Sequence, residues 1–225
     1  MTTDSIARYA LRLGDDALVL AQRLIEWTSN APLLEEELAL ANTALDYLGR
    51  ARLFYQYAGR RVGKTEDDLA YLRDADAFSV PFLDALSRSN DSELAAIAAK
   101  AVKESRYHLR RSADWMLRLG DGTDESHARA QRAIDALAPY VDELFAMDAL
   151  ERELLGSGVA VDRDDVRAPF AESVEAVLGE ATLTCPRAGL GGHVDGGRRG
   201  EHTAHLAPML AEMQSLQRLH PGLSW

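Results

Sequence analysis

The run Leu38-Ala39-Leu40-Ala41-Asn42-Thr43-Ala44-Leu45-Asp46-Tyr47-Leu48-Gly49-Arg50-Ala51-Arg52 decides the fold class of this 225-residue chain. Leu38, Ala41, Leu45 and Leu48 recur at steps of three and four, and Arg52 and Tyr55 continue the stripe, so the spacing predicts one face of an α-helix. That helix extends from about Leu34 to Arg61, with Gly63 just beyond as its stop. Upstream, Leu11, Leu18, Ala21, Leu24 and Ile25 repeat the helical spacing. Asn30-Ala31-Pro32 then breaks the chain, because a proline ring disfavours helix in the residue before it.

Downstream, residues Lys64 to Ser79 read as a short polar helix and an irregular link, and Val80 to Ser89 as another helical piece. Ser92 is placed to cap a long helix reaching Leu119, where Gly120-Asp121-Gly122 stops it. A further long helix is expected over Ser126 to Leu155, ended by Gly156 and Gly158. A polar turn, Val159 to Ala168, precedes a helix from Pro169 to about Thr182, and the last helix is expected from about His202 to Leu219. β-Branched runs are scarce and no strand pattern emerges. The reading is an all-α chain, an antiparallel four-helix bundle with extra helices, in a single domain over residues 1–225. A glycine-rich loop near 187–200 is expected to be mobile.

A formal net charge of -11 argues against a nucleic-acid binder, which needs a basic face to displace counterions. The first residues carry Asp4, Arg8 and Arg12 and no long apolar run, unlike a secretory leader. No stretch approaches the roughly 20 apolar residues of a membrane span. A lone cysteine, Cys185, excludes an internal disulfide and reads as a structural thiol. The expectation is a cytoplasmic protein with neither nucleic acid nor membrane as partner.

A four-helix bundle that holds two irons takes a Glu from each of two helices and a Glu-x-x-His from each of the others. This chain lacks that set. In the helix around Asp46, Gly49 stands where the imidazole belongs, and Arg50 brings the wrong charge beside a dication. In the helix after Ser92, Glu104 and His108 share a face at i,i+4, but Ser105 takes the Glu-x-x-His position. Asp124 and His127 have the right spacing, yet they sit at a helix start, where an acid serves as a cap. The expectation is a degenerate site in which Asp46, Arg50, Glu104, Arg106 and His108 form a hydrogen-bonded ion network, since buried charges persist when paired. No metal is expected and no catalytic residue is assigned.

His202 and His205, at i,i+3 on one predicted helical turn, could bind zinc beside Glu201, but a third ligand is missing. A capping role is the expectation. Arg198 and Arg199, between glycines and ahead of a helix start, are offered as a contact for an anion through side chains and free backbone N–H groups. The competing reading is a solvated loop. The glycines do not make a dinucleotide fingerprint, because no strand precedes them. Neither a Walker loop nor a Gly-x-Ser-x-Gly elbow occurs.

Several blocks resemble one known family. They are the run from His202 to Arg218 with Pro221-Gly222 and Trp225, the blocks Glu35 to Asn42 and Leu45 to Arg52, the block Ala101 to Arg110, and Leu119 to Asp124. Together they resemble the C subunits of bacterial ring 1,2-phenylacetyl-CoA epoxidases, over nearly the whole chain. The resemblance implies a ferritin-like fold and a non-catalytic, structural role. It implies a homologous catalytic subunit that carries the di-iron centre, and a reductase subunit that uses NADPH with flavin and iron-sulfur groups. The complex would epoxidise the ring of phenylacetyl-CoA in aerobic phenylacetate degradation. Under that reading this chain binds no cofactor itself, and Arg198 and Arg199 become contacts for a CoA phosphate. Phenylacetyl-CoA at the subunit interface and a homodimer of the isolated chain complete the expected partners. Two alternatives stand beside it, a di-iron oxygenase in its own right and a self-assembling structural protein.

One departure from the family stands out. Its members carry a further helix-length segment between the Asp74-Ala75-Asp76-Ala77-Phe78 region and Pro81-Phe82-Leu83, where here Ser79-Val80 joins the two directly. A bundle helix cannot be removed without exposing the apolar face it covered.

Overall fold

The structure, a computed structural model, describes residues 4–73, 85–185 and 196–221. Among them lie eight α-helices and no strand: α1 (Ser5–Thr28), α2 (Leu34–Val62), α3 (Glu66–Tyr71), α4 (Ser92–Gly120), α5 (Asp124–Val141), α6 (Ala149–Gly156), α7 (Asp164–Glu180) and α8 (Leu206–Leu219). The long helices run antiparallel in sequence order. The pairing of Asp4 with Arg61 and of Asp15 with Tyr55 sets the direction of α1 against α2. Tyr57 with Asp91 and Arg50 with Glu104 do the same for α2 against α4.

α1 starts where the Asp4 carboxylate accepts the Ala7 N–H at 3.0 Å. It buries Tyr9, Ala10, Leu13, Ala17 and Leu18 against Ala51, Phe54, Tyr55 and Ala58 of α2. Leu94, Ile97 and Ala98 of α4, Leu150 and Leu154 of α6, and Met209 and Leu210 of α8 complete this core. A smaller cluster, Ala130, Leu178, Ala181 and Leu183, joins α5 to the end of α7. Polar side chains pin α8 in place. Gln214 donates to the carbonyls of Ala70 and Arg73 at 3.1 and 3.0 Å, and Arg218 to those of Tyr71 and Arg73.

α2 ends as its sequence predicts, with Gly63 in the left-handed region at φ 69°. Other boundaries differ. The single helix expected over Ser126 to Leu155 is broken into α5, a 3-10 turn at Asp142–Phe145, and α6. Pro139 supplies no N–H to the last turn of α5. Asp148 then opens α6 with a capping box, accepting the Glu151 N–H while the Glu151 carboxylate accepts its own N–H. α4 is capped by Asp91, one residue before Ser92. α7 starts at Asp164, well before Pro169, and α8 starts at Leu206, so His202 and His205 do not share a helical turn. The expected helical piece at Val80 to Ser89 survives as a 3-10 turn, Ala85–Arg88; its earlier residues lie outside those described.

The stripe read along α2 is buried only in part: Tyr55 joins the core and Leu48 packs against it. Leu38 and Leu45 are 57% and 60% exposed, and Arg52 is exposed, while the buried side runs through Thr43, Arg50, Phe54 and Tyr57. α2 is apolar on two faces, and periodicity alone does not say which one α1 takes.

Where α4 meets the end of α7 the packing leaves no room for any side chain. A Cβ on Gly120 would lie 2.0 Å from the Ala181 carbonyl oxygen, a backbone atom. Gly120→Ala is therefore expected to cost about 1–3 kcal/mol, as overpacking does. Gly49→Ala, inside α2 with nothing within 4 Å of the new methyl group, serves as the unhindered comparison and is expected to gain up to about 1 kcal/mol. Urea denaturation of both measures the difference, and equal midpoints would refute the close approach.

Candidate functional site

The degenerate-site residues meet where α2 faces α4. His108 is buried, and its Nε2 lies 3.0 Å from Asp46 Oδ2. The Arg50 guanidinium, 3% exposed, reaches Glu104 Oε2 at 3.4 Å and donates to the Ala101 carbonyl at 3.4 Å. It lies 4.5 Å from the centre of the Tyr47 ring, which in turn sits 5.2 Å from the His108 ring. Four of the five expected network residues thus come together, as two pairs linked through Tyr47. Arg106 does not join them; it is exposed on the outer side of α4.

This donor set does not fit a di-iron centre. It offers two carboxylates and one imidazole, with a buried cation inserted among them. Arg50 Nε and Nη1 and His108 Nδ1 have no hydrogen-bond partner, so the spare polar atoms include two guanidinium nitrogens, which cannot ligate a metal. Among the described residues no three His, Cys, Asp or Glu side chains form a group able to hold a metal ion. Further along the same seam, Glu36 accepts from Trp115 Nε1 at 2.9 Å and from Arg111. The Trp115 bond and the Arg111 cation hold its carboxyl below the usual range.

The glycine-arginine loop does hold an anion, but one of the chain's own. Gly196 and Gly197 donate their N–H groups to Glu143 Oε1 at 2.9 and 2.7 Å. Arg198 turns inward, its side chain 7% exposed. It donates to the carbonyls of Glu143 and Ala146, and its Nε lies 3.8 Å from Glu151 Oε2. Arg199 is exposed, 3.6 Å from Glu201. Residues 197–199 form a 3-10 turn; residues 187–195 of the expected mobile loop lie outside those described.

His127 Nδ1 lies 2.9 Å from the Gly120 carbonyl oxygen, and Thr123, not Asp124, caps α5. His205 is exposed, and Cys185 is an exposed thiol. Sequence reading missed the buried pair of Arg163 with Glu151, Asp16 on α1, and the Glu143 acceptor. Only Glu151 left a signal, the Asp-x-x-Glu spacing of a capping box at Asp148.

The family model described as phenylacetic acid catabolic protein matches residues 1–83 and 75–225. A curated relative, the C subunit of 1,2-phenylacetyl-CoA epoxidase from Escherichia coli (strain K12), is 44% identical over 249 residues, covering 99% of this chain and 100% of the relative. That alignment is longer than the chain, so some positions of the relative face no residue here.

Proposed function

Because the chain belongs to the phenylacetic acid catabolic protein family, we propose that it is the non-catalytic, ferritin-like subunit of a multicomponent di-iron monooxygenase acting on the ring of phenylacetyl-CoA. The observation that carries this reading is Arg50. Its buried guanidinium lies among Asp46, Glu104 and His108, the residues that would otherwise begin a metal site. A cation built into that position opposes a dication and neutralises the carboxylate beside it. The iron then belongs to a homologous catalytic subunit, and NADPH, flavin and iron-sulfur groups to a reductase. This chain contributes packing, fixing the shape of the catalytic bundle through its helix faces.

Of the two arginines offered for a CoA phosphate, only Arg199 presents its guanidinium at the surface, so the proposed contact narrows to Arg199. No helix among the described residues is long and apolar enough to cross a membrane, in keeping with assembly in the cytoplasm.

Elemental analysis of the full chain, expressed alone in iron-rich medium and then together with a catalytic subunit, tests the reading. Background iron alone, and iron with phenylacetyl-CoA epoxidation only in the co-purified complex, is the expected result. Two irons per isolated chain would make it an oxygenase in its own right. Purification of the chain only with itself would favour the self-assembling alternative.

A further inference from the structure

α4 changes character along its length. Its buried apolar residues, Leu94, Ile97, Ala98 and Ala101, all fall in the first third and join the main core. From Val102 to Leu119, His108 is the one buried residue. Met116, Leu117 and Leu119 pack instead on the smaller cluster, with Ala130 and Ile134 of α5 and Val174 and Leu178 of α7. The second half of α4, α5 and α7 therefore form a body with a small core of its own.

That body is tied firmly at one end. Ahead of α4, Ser89 and Asn90 donate to the carbonyls of Val159, Gly158 and Ser157 at 2.7, 2.8 and 2.9 Å. The buried pair of Arg163 with Glu151 fixes the start of α7 to α6. Further along α4, the body faces α2 across a seam that holds cavities of about 120 and 310 Å³. Polar groups bridge this seam. Asp46 meets His108, Arg50 meets Glu104 and the Ala101 carbonyl, and Glu36 meets Arg111 and Trp115. Carboxylates lie on both helices, so the two faces pair with each other.

The closed seam is only weakly favoured. Arg50 Nε and Nη1 and His108 Nδ1 are shut off from solvent without a hydrogen-bond partner, a desolvation cost that water relieves when the helices part. The Asp46 and Glu104 side chains are 40% and 26% exposed, and pairs that solvent reaches contribute little and are screened by salt. Segments with few buried apolar contacts are the ones that open below the global unfolding free energy.

We propose that the α2/α4 seam is a hinged clasp. The second body pivots about the anchored start of α4, and the Asp46–His108, Arg50–Glu104 and Glu36–Arg111 pairs set its closed position. From Ala101 to Gly120 α4 extends about 28 Å, so a tilt of about 10° moves its far end by about 5 Å. Residues that stand where a metal site would begin act here as a latch between two packed bodies, the hinge class of conformational change. The clasp follows from the packing of this chain alone and does not depend on where the iron of the complex resides.

Spin labels at Asn42→Cys on α2 and Ala128→Cys on α5, in a Cys185→Ser background of the full chain, test it by double electron–electron resonance. Leu20→Cys with Val62→Cys, both within the α1/α2 pair, is the control; all four positions are exposed. Raising salt from about 0.1 M to about 1 M shortens the screening length from roughly 10 Å to roughly 3 Å. The Asn42–Ala128 distance is expected to lengthen by about 5 Å over that range while the control distance holds. The double variant Glu36→Gln, Asp46→Asn is expected to show the longer distance already at low salt, with helix content by circular dichroism unchanged. A seam distance that neither salt nor the variant moves would overturn the proposal. An equal change in both label pairs would overturn it too, by showing a general loosening in place of a hinge.

Discussion

Replacing Arg163 with alanine is expected to cost about 3–5 kcal/mol of folding stability, the range for stranding one partner of a buried ion pair. The side chains of Arg163 and Glu151 are 2% and 1% exposed. Arg163 Nε and Nη2 both donate to Glu151 Oε1, at 3.0 and 2.5 Å, and Nη1 donates to the Leu144 carbonyl at 2.7 Å. Glu151 also holds the first turn of α6 through its bond to the Asp148 N–H. Without Arg163, its carboxylate keeps Arg198, at 3.8 Å, as its cation, and the Leu144 carbonyl loses this donor. Urea denaturation followed by circular dichroism measures the loss. The double variant Glu151→Gln, Arg163→Met should recover part of it, because both charges of the pair are removed together while Arg198, which loses Glu151, keeps its bonds to the Glu143 and Ala146 carbonyls. A cost below about 1 kcal/mol, the range of exposed pairs, would mean that water reaches this pair in solution.

That pair was invisible in the sequence for the same reason that α2 was plain in it. Helix periodicity and capping are local, so α2 and its Gly63 stop follow from residues a few positions apart. Arg163 and Glu151 meet across the turn between α6 and α7, and Glu143 reaches the Gly196 and Gly197 N–H groups from far along the chain. No spacing rule reports such contacts. The long helix expected over Ser126 to Leu155 failed on a signal that was present, Pro139 followed by the Asp148-Glu151 box.

The candidate site was legible in its chemistry but only partly in its geometry. Residue types at helical spacing were enough to bring Asp46, Arg50, Glu104 and His108 to facing helices. They were not enough to place Arg106, because a helix around Glu104 can turn either flank inward. Arg198 shows the converse. Flanking glycines suggested an exposed anion contact, yet its guanidinium found carbonyls of the 142–146 turn and was drawn inside. Burial of that kind is a tertiary outcome with no local signature.

The second large effect concerns pH, and it centres on Asp16. Both of its carboxylate oxygens are shut off from solvent and have no hydrogen-bond partner, unlike neighbouring Asp15, which Tyr55 and Arg73 hold. Burial pushes the Asp16 carboxyl well above its ordinary value, and the Asp15 charge adds to the shift, against the pull of Arg163 and Arg198. The folded chain therefore keeps a proton on Asp16 that the unfolded chain releases near pH ~4. As pH rises from that unfolded value through the raised folded value, this group withdraws stability. Asp148 acts in the opposite sense. Its carboxyl is lowered, chiefly by bonds to Arg12 and the Glu151 N–H outweighing burial, so its contribution is lost on acidification. The wild-type curve is a sum of such terms, and the difference between wild type and Asp16→Asn isolates one of them. Asparagine keeps the shape and cannot ionise. The variant is expected to match wild type near pH ~4 and to gain on it steadily toward pH ~8, while its buried amide retains the roughly 1–3 kcal/mol cost of an unsatisfied polar group. Urea midpoints across that range measure the difference. A flat difference would mean that Asp16 ionises as freely in the folded chain as in the unfolded one.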